Sequence, residues 1–246
     1  MQLLQVISLL LDYPTDDVMQ SRPELEQVIT KSPVSETCRQ ALLQFLQQRL
    51  DGDLMEWQAD YDSLFERGRS LSLLLFEHLH GESRDRGQAM VDLQAQYKSA
   101  GLDISLNELP DYLPLYLEFL STQGDENAQY GLQEVAPILG LLTARLVQRD
   151  CDYHVLFQAL LEVADADIDV ADLLKQISSE ERDDTAKALD KVWEEEMVSF
   201  MSAQSENSCP SSQHRPSEAQ RRDQFIPLNL DLLNASSLAR DAGVTS

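Results

Sequence analysis

Apolar residues recur along this chain at intervals of three and four and almost nowhere at intervals of two, which leaves helix packing as the way it can bury a core. Leu, Gln, Glu and Ala dominate, and these residues lose little freedom on entering a helix. Gly and Pro number nine each in 246 residues, enough to punctuate helices but too few for an all-β chain with many turns. The fold class expected is all-α: a single globular bundle of about ten helices over residues 1–202, then a polar, disordered tail over residues 203–246. That tail is Ser-rich, is broken by Pro210 and Pro216, and contains residues 225–233 (FIPLNLDLL) as a short apolar stretch.

The helix signals fall in order. A first helix runs from Gln2 and stops at Tyr13-Pro14; Pro23 and Ser35 open two more, the second presenting Leu42, Leu43, Phe45, Leu46 and Leu50 and ending at Gly52. From Asp53, residues Leu54, Trp57, Tyr61, Leu64 and Phe65 share a helical face that ends at Gly68. Leu71, Leu73, Leu74, Leu75, Phe76 and Leu79 are apolar nearly all round, which predicts a central helix buried on every side. Further helices are expected through Met90, Leu93 and Tyr97, from Pro110-Asp111 onward, over residues 127–149 with Pro137 inside, over 153–164 and over 170–177. A last one, over 180–200, carries Leu189, Val192, Met197 and Phe200.

A formal net charge of -24 repels phosphate backbones, so nucleic-acid binding is excluded and a cationic partner is the natural complement. Residues 203–246 hold five acidic and four basic side chains, so the charge belongs to the body. Cys38, Cys151 and Cys209 are odd in number and far apart, which suggests neither a disulfide framework nor a metal knuckle and fits a reducing cytoplasm. The N-terminal apolar run lacks a basic start and a cleavage site and reads as a first helix. No run reaches the roughly 20 apolar residues that span a bilayer, so direct membrane insertion is not expected.

Chemistry-bearing patterns are weak. His78-x-His80, with Glu77, Glu82 and Asp85, resembles a metal site, but residues two apart on a helix point about 200° from each other. Asp165-x-Asp167-x-Asp169 imitates the start of a calcium loop and then fails, with Val170 where Gly is needed and Gln176 where a bidentate Glu should sit; it reads as an acidic helix-start loop. Cys151 and His154 lack an orienting partner, and Gly68-Arg69-Ser70 lacks the Lys of a phosphate loop. No catalytic residue, cofactor or metal is assigned.

Residues 60–96 are more telling, because they combine an aromatic-rich amphipathic turn, an apolar run and two Arg clusters. Such a set suits a groove that holds a helix: apolar anchors supply affinity and flanking charges set orientation. Candidate peptide-binding residues are Tyr61, Leu64, Phe65, Leu74 and Leu75, with Tyr116 on the following apolar face and Arg84 and Arg86 orienting the ligand or holding the groove's shape. In Glu108-Leu109-Pro110-Asp111-Tyr112-Leu113-Pro114, the prolines pin a helix entry, Asp111 can cap exposed amides and Tyr112 offers an aromatic face with a hydroxyl tip.

Residues 72–93 (SLLLFEHLHGESRDRGQAMVDL), 108–120 (ELPDYLPLYLEFL), 136–149 (APILGLLTARLVQR) and 180–196 (EERDDTAKALDKVWEEE) resemble the NarJ family of nitrate reductase molybdenum cofactor assembly chaperones, within the TorD/DmsD group. The resemblance extends over residues 1–200. It implies a cytoplasmic, non-enzymatic chaperone that binds the N-terminus of the nitrate reductase catalytic (alpha) subunit. Such a chaperone keeps the apoenzyme open for cofactor insertion before membrane docking, with molybdenum cofactor delivery proteins as further candidate partners. Tyr61, Leu64 and Phe65 match the group's aromatic-x-x-Leu-Phe groove positions. Asp111 and Tyr112 match its Pro-Asp-His site, with Tyr in place of the His. The alternatives are a chaperone for a twin-arginine signal peptide of another molybdoenzyme and, from a different class, a helical metal-dependent hydrolase using His78 and His80.

Overall fold

The computed structural model describes residues 1–80, 84–104 and 108–180, together with Asp183, Thr185, Lys187, Ala188 and Asp190. Apart from those isolated positions, the helix expected over 180–200 and the tail over 203–246 lie outside the described residues. Within them the order is α1 (Gln2–Leu11), α2 (Asp16–Gln20), α3 (Arg22–Lys31), α4 (Glu36–Asp51) and α5 (Leu54–Tyr61), then a π-helical turn (Asp62–Glu66). After it come α6 (Leu75–His80), α7 (Arg84–Ser99), α8 (Leu113–Thr122), α9 (Asp125–Gln148), α10 (His154–Ala164) and α11 (Val170–Ile177).

Local chemistry accounts for many of these boundaries. Ser35 Oγ accepts the Cys38 amide to start α4, and Asp53 accepts the amides of Met55 and Glu56 to start α5. Pro23 and Pro114 sit in the first turns of α3 and α8, where a missing N–H costs nothing. Asp169 accepts the Asp172 amide and starts α11, and Asp165, in the left-handed region at φ 52°, closes α10, so the acidic triplet is a helix-to-helix connection.

The centre of the molecule is built from α1, α8 and α9. Leu3, Leu4, Val6, Ile7, Leu10 and Leu11 bury most of the surface of α1, which lies against α8 with Leu113, Tyr116, Leu117 and Leu120. The long helix α9 packs on α8, α10 and α11, and α10 reaches across to α4. Helices α8 and α9 meet closely at Gly131, where a Cβ would lie 2.5 Å from the Leu120 side chain and where Tyr116 Oη donates to the Gly131 carbonyl at 3.1 Å.

The central helix expected over residues 71–79 is absent. Residues 68–74 run as a non-helical strap, and α6 begins only at Leu75. Leu71, Ser72, Leu73 and Leu75 are buried, Leu74 is half-buried, and Leu79 is exposed, so burial along the strap follows neither a helical nor an alternating period. The strap pairs with a distant segment: the Leu75 amide donates to the Asp111 carbonyl at 2.9 Å, and the Leu113 amide to the Leu73 carbonyl at 2.8 Å, forming an antiparallel bridge between Leu74 and Tyr112. Backbone groups left without helical partners are satisfied across that bridge.

Candidate functional site

The strap, the π-turn and the segment before α8 converge on one hollow. Phe65 and Glu66 come from the π-turn, Ser72, Leu73 and Leu74 from the strap, and Glu108, Leu109 and Tyr112 from the third segment; together they line a groove of about 340 Å³. Its interior is apolar, and the exposed Glu66 and Glu108 carboxylates stand on its lining. Leu109 is 45 % exposed, so an apolar surface is open to solvent there.

Every wall has a specific anchor. Phe65 is buried, with its ring centroid 5.0 Å from that of Tyr61 and 5.1 Å from that of Tyr153. Tyr61 lies behind the groove, its hydroxyl 3.0 Å from the Leu11 carbonyl and 3.1 Å from the Tyr112 hydroxyl. Tyr112 in turn donates to Asp12 Oδ1 at 3.0 Å. Burial pushes the Tyr61 hydroxyl up to about 12 and Tyr112 upward as well, so both remain protonated donors at neutral pH. Below the third segment, Tyr97 Oη donates to the Pro110 carbonyl at 2.7 Å.

Asp111 is fully buried and faces away from the groove. Its Oδ2 accepts the Phe76 amide at 3.1 Å, capping α6 across the bridge, and lies 3.9 Å from Arg86, which also stands 3.5 Å from Glu77. Arg86 therefore braces the groove from α7. Burial raises the Asp111 carboxyl above its ordinary range, and the Phe76 amide and Arg86 only partly oppose this. A carboxyl whose folded pKa exceeds its unfolded 3.8 costs stability as pH rises from the unfolded value through the folded one. Asp111→Ala, which strands the Phe76 amide and removes one partner of Arg86, is expected to cost about 2 kcal/mol in urea unfolding at neutral pH. Asp111→Asn, which keeps the acceptor and sheds the buried charge, should cost less than about 1 kcal/mol. Equal losses for the two would show that the cap contributes nothing.

Of the candidate residues, the structure thus brings Phe65, Leu74 and Tyr112 together in the groove, with Tyr61, Asp111 and Arg86 supporting it. Leu75 and Tyr116 belong to the core, and the side chain of Arg84 lies outside the described residues. Leu64 turns into a separate hollow of about 300 Å³ beside Arg49, Asp60 and Tyr153. Arg49 there is paired with Asp60 and Asp152 and stacked over the Phe45 and Tyr153 rings. Sequence reasoning missed Glu66, Ser72, Leu73, Glu108 and Leu109; the string LSLLL over residues 71–75 carries no local signal that separates a strap from a helix.

The rival chemistries find little geometry. His78 Nε2 lies 2.8 Å from the Ser72 carbonyl, pinning the strap to α6, and burial lowers its pKa toward the neutral ring. The side chain of His80 lies outside the described residues. His154 Nδ1 contacts the Cys151 carbonyl at 2.7 Å, and burial raises the Cys151 thiol away from the reactive thiolate. Among the described residues, no group of three His, Cys, Asp or Glu side chains is placed to hold a metal, and no helix is long and apolar enough to cross a membrane.

An all-helical body with an apolar groove, acidic at its edges, has the architecture of a TorD/DmsD-like chaperone. The chain belongs to the family described as nitrate reductase delta subunit, whose model matches residues 31–158. It is 50 % identical over 198 residues to the nitrate reductase molybdenum cofactor assembly chaperone NarJ of Escherichia coli K12, covering 80 % of this chain and 84 % of that protein. It is 47 % identical over 212 residues to the probable nitrate reductase molybdenum cofactor assembly chaperone NarW of the same strain, covering 86 % and 89 %. The probable chaperone NarJ of Bacillus subtilis strain 168 is 28 % identical over 155 residues, covering 63 % and 84 %.

Proposed function

We propose that this protein captures the N-terminal segment of a respiratory nitrate reductase catalytic subunit in the groove and holds the apoenzyme open for molybdenum cofactor insertion before membrane docking. The observation that carries this reading is the groove itself: an apolar interior of Phe65, Leu73, Leu74, Leu109 and Tyr112 with carboxylates at Glu66 and Glu108. An amphipathic segment buries its apolar face on that interior, and its basic residues meet the carboxylates and the acidic body. At about 25 cal/mol per Å² of apolar surface, less the cost of ordering the segment, a micromolar to nanomolar complex results. Such affinity permits release once the client has folded. The reading assigns the protein no catalytic step; the cofactor and its delivery proteins act on the client.

Calorimetric titration with a synthetic peptide of the catalytic subunit's N-terminus, beside a scrambled peptide of the same composition, tests it. Saturable one-to-one binding of the native order alone is expected. Equal, weak and salt-sensitive binding of both peptides would mean that charge is all that is recognised, and would overturn the assignment to the groove.

A further inference from the structure

Within the acidic string over residues 180–196, Asp183 is among the described residues, and its carboxylate is held by the near end of the strap. The Ser70 amide donates to Asp183 Oδ2 at 2.7 Å, Ser70 Oγ donates to Oδ1 at 2.6 Å, and Arg149 donates to Oδ1 at 2.8 Å. Arg145 donates to the Ser70 carbonyl at 2.8 Å and pairs with Glu180 at 3.1 Å. The turn is shaped to this carboxylate. Gly68 has φ 104°, in the left-handed region, and a Cβ there would lie 2.7 Å from Asp183 Oδ2. The Arg149 side chain is 6 % exposed and that of Asp183 30 %, so the pair is buried on the arginine side and partly open to solvent on the carboxylate side. Burial alone would raise the Asp183 carboxyl, but the Ser70 and Arg149 hydrogen bonds hold it below its ordinary range.

The strap is therefore fixed at two places. Its far end is held by the bridge between Leu74 and Tyr112 and by His78 on the Ser72 carbonyl. The near end is held at Ser70 by Asp183, Arg145 and Arg149. Between these points lie Ser72, Leu73 and Leu74, which form one wall of the groove.

We propose that Asp183 and Arg149 are positioning residues for the groove: by fixing Ser70 they hold the strap wall in its ligand-accepting shape, although neither lines the groove. The inference rests on the groove reading above. A fixed wall binds more tightly than a mobile one because the ordering cost has been met before the ligand arrives.

The test is Asp183→Asn in the full chain, with two readouts: hydrogen exchange of the amides of residues 70–74, and calorimetric affinity for the native-order peptide. The expected result is at least about tenfold faster strap exchange and about tenfold weaker binding, at a temperature well below the unfolding midpoint. Glu162→Gln is the control, since Glu162 accepts the Ser35 amide and hydroxyl away from the strap; it should lower the midpoint and leave both readouts unchanged. Should Asp183→Asn fail to fold, Ser70→Ala, which removes one of the three hydrogen bonds to the carboxylate, carries the same comparison. Unchanged strap exchange, or faster exchange with unchanged affinity, overturns the proposal. A wild-type protein that binds neither peptide overturns the groove reading itself, and the exchange readout then still reports whether Asp183 fixes the strap.

Discussion

Phe65→Asp is expected to leave most of the protein unfolded, with a loss of at least about 5 kcal/mol in urea unfolding. The ring is 6 % exposed and lies between Tyr61 and Tyr153, whose hydroxyls hold the Leu11 carbonyl and Trp57 Nε1 respectively. Removing a buried aromatic ring costs about 3–5 kcal/mol by itself, and a carboxylate in its place has no donor to meet. A domain of ordinary stability holds about 5–15 kcal/mol in reserve, so the loss is of the same size as the whole. Loss of peptide binding in this variant would therefore say nothing about the groove, even though Phe65 lines it. A cooperative unfolding transition within about 1 kcal/mol of wild type would show that the ring is not held between its two neighbours.

The informative variant is the double substitution Leu74→Ser, Leu109→Ser, which should weaken peptide binding about 100-fold while moving the unfolding midpoint little. Leu74 is half-buried and Leu109 is 45 % exposed, so serine at either strips ligand-facing surface and leaves the core packing in place. Serine also adds no charge, which keeps the result separate from attraction between a basic peptide and the acidic body. Each apolar anchor in such a groove contributes about 1–2 kcal/mol, and two together account for the two orders of magnitude. Calorimetry on a variant with an unchanged transition would settle the site. Unaltered affinity would move it elsewhere on the molecule.

Much of the helical frame was legible from single residues. Ser35, Asp53, Pro23 and Pro114 mark helix starts because capping and proline geometry are local matters, decided within three or four residues. The strap was not legible, and neither was the π-turn. The strap depends on partners far away in sequence: the backbone of Leu73 and Leu75 is satisfied by Leu113 and Asp111, and the strap's near end by Asp183. A string such as Leu-Ser-Leu-Leu-Leu satisfies a helical and an extended pattern alike until that partner is known. The π-turn had a similar effect on the aromatic-x-x-Leu-Phe motif, sending Phe65 into the groove and Leu64 into the hollow beside Arg49. Asp111 was expected to cap an exposed amide and does, but it caps α6 and not the helix that follows it.

The strap's uneven burial separates two kinds of selection. Leu71 and Leu75 are enclosed away from the groove and Leu73 is buried at its wall, so changes there are felt by the whole fold, whereas Leu74 lines the groove while only half-buried. A chain of this design can drift at Leu74, and at Leu109 opposite, without endangering its own folding. If the groove receives its client as proposed, the preference for that client rests on positions whose exchange costs the fold little.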